Sequence, residues 1–496
     1  MDQAFLALPL RRLADAALDR ARRFGARHAA VQVVRTRRGQ LLLRDGSTAA
    51  AAETERTALS VRLTTARGRG FAATSELTAE AAADAANRAW AVARACEPLS
   101  GDGVPFADEP VHTDATWRSA YEINPFDVPE PERAAVLGGW SRNLLASPHV
   151  SSVLAKCTAV QENRFYADLA GTTTTQQRVR VHPQVLVTGV HPRTGVVETL
   201  RSLGPPVARG WEYLGGTGWD WADEIAAMPE HLAEKLRARP VEPGSHDLVV
   251  DASNLWLTVH ETVGHATELD RALGHEISYA GTTFATPDQL GHLRYGSELM
   301  TVTADRTAPH GMATTGFDDE GVAAQSWPLV ENGVLTGFQF DRSTAWAVGA
   351  SRSNGCAFAE SSSHPPLPRM PNVSLQPSAT PCRVEDLIGG VEDGVYLVGS
   401  ASWSIDSRRE NFQFTAQRCH RIRSGRLAEP LSGVAYQSST TDFWNALAGL
   451  GDASTVTSFG ADFCGKGRPA QAAAASHAVP PALFRGVPVL NVGGAA

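Results

Sequence analysis

Two histidines five positions apart, with a glutamate directly after the first, constrain this chain more than any other stretch: His260, Glu261, Thr262, Val263, Gly264, His265. Two imidazoles flanking a carboxylate suit a hydrolytic metal site, but the common helical form of that motif spaces its histidines four apart. Five steps of a regular helix turn the chain by roughly 500° and leave the rings about 140° apart, against about 40° for four steps. A regular helix therefore cannot aim both rings at one ion. A single π-type turn, at about 4.4 residues per turn, returns them to within about 50°, and such bulges are frequent at functional sites. Gly264 is the expected place for the distortion. Upstream, Leu248, Val249 and Val250 read as a short strand and Asp251 or Ser253 as a helix cap, while Leu255, Val259 and Val263 repeat at i, i+4, i+8 as a core-facing stripe.

A third metal ligand is needed. Cys464, in GADFCGKGRP, sits among glycines on what reads as a bent loop, where its thiolate can complete a His, His, Cys set with one position left open. The same octapeptide, Gly460 to Gly467, matches the start of a phosphate-binding loop, but Gly467 stands where a Ser or Thr would hold magnesium. The glycines are better explained as letting the backbone carry Cys464 to the metal.

Around these residues the chain resembles the TldD/PmbA metallopeptidases, a family first described as modulators of DNA gyrase. The resemblance rests on HETVGHATELD (260 to 270), GFDDEGVAAQSWPLVENGVLTGFQFD (316 to 341), RRENFQF (408 to 414), Cys464-Gly465-Lys466 and VPVLNVGG (487 to 494), in order along the chain. LLLRDGSTAAAAETERTALSVRL and GFAATSELT, followed by an Ala-rich helix, also resemble the family's first domain. What it implies is a zinc site on His260, His265 and Cys464, with Glu261 as the general base for the water that zinc activates. It also implies a dimer enclosing a chamber for unfolded peptides, either a homodimer or a heterodimer with a TldE/PmbA-like chain. Members of the TldE type lack the metal motif, so the intact motif resembles the catalytic type. One departure stands out: relatives often read Glu-Gly-Asp after the second His, and this chain has Glu268, Leu269, Asp270. That touches the local backbone, not the ligands.

Composition agrees with a globular enzyme. Of 496 residues, 43% are hydrophobic and 20% charged, and the net charge of −8 offers nothing to grip phosphates, so direct nucleic-acid binding is not expected. The six cysteines are scattered with no C-x-x-C pair, unlike a disulfide framework, and no stretch approaches the roughly 18 apolar residues a membrane span needs. The brief apolar run before Arg11 is too short for a signal peptide, and a cytoplasmic location is expected.

The chain reads as α+β: an N-terminal α/β portion with a mostly antiparallel sheet, then a β-rich C-terminal domain carrying the metal-site helix. Three domains are expected, at 1–110, 111–240 and 241–496, with the main boundary at RPVEPGS. Helices are predicted at 10–24, 79–96 and 219–238, the last interrupted at Pro229. Strands are predicted at 29–35, 40–53, 57–73, 150–161, 164–169 and 173–190, with Asp45-Gly46 as a bend, Asn163 and Gly171 as breaks and Asn332-Gly333 as a hairpin turn.

Other residues near the motif invite roles. Glu268 and Asp270 can accept a ligand imidazole's free N–H. His275, Tyr279 and His292 are candidates to stabilise an oxyanion, and Arg408, Arg409 and Glu410 to hold a peptide terminus, although a structural part explains each as well. The favoured reading is a zinc-dependent peptidase acting on unfolded or small peptides. The alternatives are a biosynthetic zinc enzyme cleaving an amide or C–N bond of a small molecule or modified precursor peptide, and a non-catalytic regulatory partner.

Overall fold

Asp45 and Gly46 take positive φ, 50° and 83°, the backbone a two-residue hairpin turn requires. That turn joins β1 (His28–Arg44) to β2 (Ser47–Thr64), and β3 (Arg69–Thr74) extends the pair on one side. The other edge of β1 would be left open. It is covered from Ala30 to Arg44 by β5 (Ser152–Asp168), which pairs in turn with β6 (Thr173–Val190). A short strand β4 (Ala115–Arg118) and a further one, β7 (Val197–Arg201), complete the sheet on β6. In the computed structural model, residues 1–99, 103 and 105–493 are described; Gly494, the last residue of VPVLNVGG, lies outside them.

Stretches 1–110 and 111–240 thus contribute to a single sheet, joined along β1 and β5. The expected strand at 40–53 straddles the turn at Asp45, and the strands expected at 150–161 and 164–169 are one, β5. The break placed at Asn163 is absent because its side chain is buried and its amide donates to Asp2. The helix Trp221–Leu236 runs through Pro229, with Trp221, Ile225, Met228 and Leu232 anchoring it in a core around the proline.

Four helices cover one face of this sheet. Leu10–Arg23 and Ala79–Cys96 pack on Val31, Val33, Leu59 and Val61; Glu130–Leu145 and Trp221–Leu236 pack on Leu41, Leu43, Val153 and Val187. The opposite face meets the C-terminal half through polar contacts. Arg164 Nη1 lies 2.7 Å from Asp319 Oδ2, and the Gln32 amide donates to Asp319 Oδ1 at 2.6 Å.

The C-terminal half is built on a closed ring of strands. β8 (Arg239–Pro240) lies outside it, paired with Arg426–Ser432 on the flank of Asn411–Arg423, while β9 (Gly244–Val250) pairs parallel with Asp393–Ile405 and antiparallel with Ala482–Asn491. Val434–Ser439 and Asn411–Arg423 carry the pairing onward, and Asn411–Arg423 returns to Asp393–Ile405. The helix that follows β9 is seated against this ring. Asn332 and Gly333, at φ 49° and 78°, form the expected hairpin turn between Ser326–Glu331 and Val334–Leu335. A long hairpin, Thr457–Lys466 with Gln471–Val479, lies on the helix Ala252–Val259. The whole is α+β, an N-terminal antiparallel sheet followed by a β-rich C-terminal half.

Candidate metal centre

Asp251 caps the helix Ala252–Val259, its carboxylate accepting the Ser253 N–H at 2.9 Å, and Leu255, Val259 and Val263 lie fully buried in the core. From His260 to Gly264 the helix widens into a π turn: the His265 N–H donates to the His260 carbonyl, five residues back, at 2.9 Å. The two imidazole centroids come within 4.7 Å. Gly264 has a different reason from the one expected. It keeps a helical backbone, and a Cβ there would sit 2.5 Å from Met370 Sδ. Close packing against the Met370 thioether, not backbone freedom, favours the glycine.

Cys464 reaches the histidines from a strand, not from the bent loop its glycines suggested. It lies in Thr457–Lys466, where the register shifts between Ala461 and Cys464. Its Sγ is 3.3 Å from His265 Nε2, and one donor atom from each of His260, His265 and Cys464 falls within 4.8 Å of the others. Tetrahedral zinc, with bonds of about 2.1 Å to nitrogen and about 2.3 Å to sulfur, sets its ligands roughly 3.4–3.7 Å apart. The donor set and spacing therefore fit such an ion with a small contraction. Burial pushes the thiol pKa up, but the His265 imidazole and Arg369 outweigh it, leaving Cys464 below an ordinary thiol.

Each imidazole is held on its far nitrogen. His265 Nδ1 lies 2.9 Å from Glu268 Oε2, which also accepts from Arg271 Nη2 at 3.0 Å. Lys466, fully buried, places its ammonium 3.2 Å from Glu268 Oε1 and donates to Asp270 at 2.8 Å and the Pro368 carbonyl at 2.7 Å. Burial opposes the charge on Glu268, but Lys466, His265 and Arg271 hold its pKa well below the usual carboxylate range. Leu269, the departure from the relatives' glycine, is buried in the core and starts a short helix, Leu269–Ala272. On the other ring, His260 Nδ1 lies 2.8 Å from His477 Nε2.

Glu261 lines the same cleft as the three donors, and its Oε2 accepts from Arg409 Nη1 at 2.8 Å. Burial would raise its pKa, yet His265, His260 and Arg409 bring it below the ordinary value, so the carboxylate is ionised. The cleft has a volume of about 690 Å³, with Trp256, Trp403, Phe459 and Phe463 among its walls. Arg409 thus meets the candidate base, while Arg408 is exposed and pairs with Glu410 at 3.4 Å. His275 and Tyr279 line a separate cavity of about 600 Å³, and His292 is exposed away from the cleft. The phosphate-loop match is a strand whose lysine is consumed by buried partners. His477 was not anticipated: 217 positions separate it from His260 and nothing in its neighbourhood marks it.

The sequence model of the PmbA/TldA metallopeptidase C-terminal domain matches residues 243–489, the stretch that carries every one of these groups. The chain belongs to the TldD/PmbA family. It is 31% identical to a metalloprotease of Methanothermobacter thermautotrophicus over 54% of this chain and 58% of that protein. It is 24% identical to a metalloprotease of Methanocaldococcus jannaschii over 77% of this chain and 80% of that one. A zinc metalloprotease TldD homolog of Saccharolobus solfataricus is 25% identical over 45% of this chain and 47% of its own length. The chain's match to the first of these relatives spans little more than half of it. TldD/PmbA-type folds also align along almost the whole chain. The putative modulator of DNA gyrase from Bacteroides thetaiotaomicron superposes with a TM-score of 0.73 at 16% identity, covering 97% of this chain and 98% of that one. TldE from Thermococcus kodakarensis gives 0.70 at 16% identity, covering 95% and 99%.

Proposed function

We propose that this chain is a zinc-dependent peptidase that hydrolyses unfolded or small peptides, with His260, His265 and Cys464 as the metal ligands and Glu261 as general base. The observation that carries the reading is the convergence of these four buried groups on one cleft. Zinc held there supplies a Lewis acid that polarises the scissile carbonyl and acidifies water.

The rest of the chemistry belongs to the protein. Arg409 holds Oε2 of Glu261 and favours its ionised form, and among the described residues no hydrogen bond is made to Oε1. That oxygen takes the proton from the attacking water and later returns it to the nitrogen of the leaving amine. A thiolate ligand leaves less positive charge on the metal than a third imidazole would, so proton removal by Glu261 carries more of the barrier. Trp256, Trp403, Phe459 and Phe463 give the cleft apolar surface on which the side chains of a bound peptide can pack.

Among the described residues no helix is long and apolar enough to cross a membrane. We expect the working form to be a dimer, with a second copy or with a TldE/PmbA-like chain, in the cytoplasm. Sedimentation of the pure protein, with and without such a chain, tests the assembly.

The deciding experiment presents a peptide library to the wild type, to Glu261→Ala and to a chelated sample, with products read by mass spectrometry. Cleavage should vanish in both controls while Glu261→Ala still binds zinc, and Cys464→Ser should lose the metal. Undiminished cleavage by Glu261→Ala would refute the assignment.

A further inference from the structure

His477 is fully buried in the strand Gln471–Val479, and both of its ring nitrogens are engaged. Nδ1 lies 2.8 Å from the Val373 carbonyl, which can only accept, so Nδ1 carries the proton. A second proton would make a fully buried cation, and neither the Val373 carbonyl nor His260 is an anion able to compensate it. Nε2 of His477 is therefore a lone pair, facing His260 Nδ1 at 2.8 Å. Two lone pairs cannot meet at that distance, so His260 donates through Nδ1–H. Its own Nε2 is then left unprotonated. Trp256 stacks on the His477 ring, with centroids 6.0 Å apart and planes at 18°, and fixes the ring's tilt.

We propose that His477 is a positioning residue for the metal centre: the chain Val373 carbonyl, His477, His260 locks the first ligand into the Nδ1–H tautomer and aims its Nε2 at the site. This rests on the reading of His260 as a ligand. It extends that reading to a residue on the second strand of the hairpin whose first strand carries Cys464. A second support of this kind is worth roughly 10–100-fold in metal affinity.

The test uses the full chain, stripped of metal and titrated with zinc against a chromophoric chelator. His477→Gln keeps both halves of the relay, since a carboxamide N–H can donate to Val373 and its oxygen can accept from His260. His477→Leu keeps neither. The expected result is zinc affinity within about threefold of wild type for His477→Gln and 10–100-fold weaker for His477→Leu. Wild-type affinity in His477→Leu would overturn the proposal, as would equal losses in both variants. Zinc binding by wild type that is lost in His260→Ala but kept in His477→Leu sinks this proposal and spares the ligand assignment; no zinc binding by wild type sinks the assignment itself. Should His477→Leu fail to fold, ¹⁵N shifts of ring-labelled histidines in the metal-free wild type decide instead. Protonated Nδ1 on His260 supports the relay, and protonated Nε2 overturns it.

Discussion

The two imidazoles of the candidate centre are supported in opposite ways. His265 leans on Glu268, three residues further along, inside a buried cluster with Arg271, Lys466 and Asp270; His260 leans on a neutral histidine from a hairpin 217 residues away. The local arm is a set of charges whose members need one another. The distant arm is a chain of neutral hydrogen bonds. The difference teaches that orienting a ligand and stabilising the fold around it are separable jobs. Glu268 does both, because removing it strands Arg271 in the core, whereas His477 mostly orients.

The largest effect should come from Glu268→Ala, which leaves Arg271 buried without its anion and Lys466 with Asp270 as its one carboxylate partner. A loss of about 3–5 kcal/mol is expected, read by denaturant unfolding of the metal-free chain. Stability equal to wild type would mean that the local arm only orients. A gentler form of the same test is Lys466→Met, which should destabilise alone, and less when combined with Glu268→Gln, since the double change removes both charges of the pair.

Next in size is His477→Leu, where the expected 10–100-fold drop in zinc affinity corresponds to about 1.4–2.7 kcal/mol. Metal-free unfolding should move less than it does in Glu268→Ala. An equal loss of stability would erase the distinction between the arms.

Gly264→Ala tests the turn that lets both arms serve one centre. Its methyl would meet Met370 Sδ at 2.5 Å, and overpacking of this kind costs about 1–3 kcal/mol. Gly264→Ala should cost less when made in a Met370→Ala background than in the wild type; an equal cost in both backgrounds would return the glycine to a backbone role.

The smallest effect should follow Asp462→Asn. Asp462 lies 2.8 Å from His182 of the N-terminal sheet, beside the bulge that carries Cys464, and a single partly buried contact of this kind is worth about 1 kcal/mol. A drop in zinc affinity beyond tenfold would show that the N-terminal sheet sets the position of the thiolate.

Much of the centre was legible because its signals are local. The five-residue spacing of His260 and His265 called for a π turn, and the backbone makes one. Glu268 stood within one turn of its histidine and was a candidate for that bond, with Asp270 its rival; Asp270 instead pairs with Lys466. Strand geometry was less legible. The glycines around Cys464 read as a loop, but they line a bulged strand whose pairing with Gln471–Val479 overrides their local freedom. Likewise Asn163 and Pro229 read as breaks, and tertiary partners carried the strand and the helix through them. The Arg409 contact with Glu261 and the relay through His477 left no trace in spacing, since each joins segments far apart in the chain.

By itself, then, the sequence determined which donors this protein owns and the one helical irregularity that lets two of them converge. Chemistry lies in residue identity, and the geometry of a single turn depends only on neighbours. Only the tertiary structure decided which nitrogen of each imidazole is left free, which arginine faces Glu261, and that Cys464 arrives on a strand. Those outcomes depend on buried hydrogen bonds between distant segments, and a buried proton goes wherever the folded chain places an acceptor.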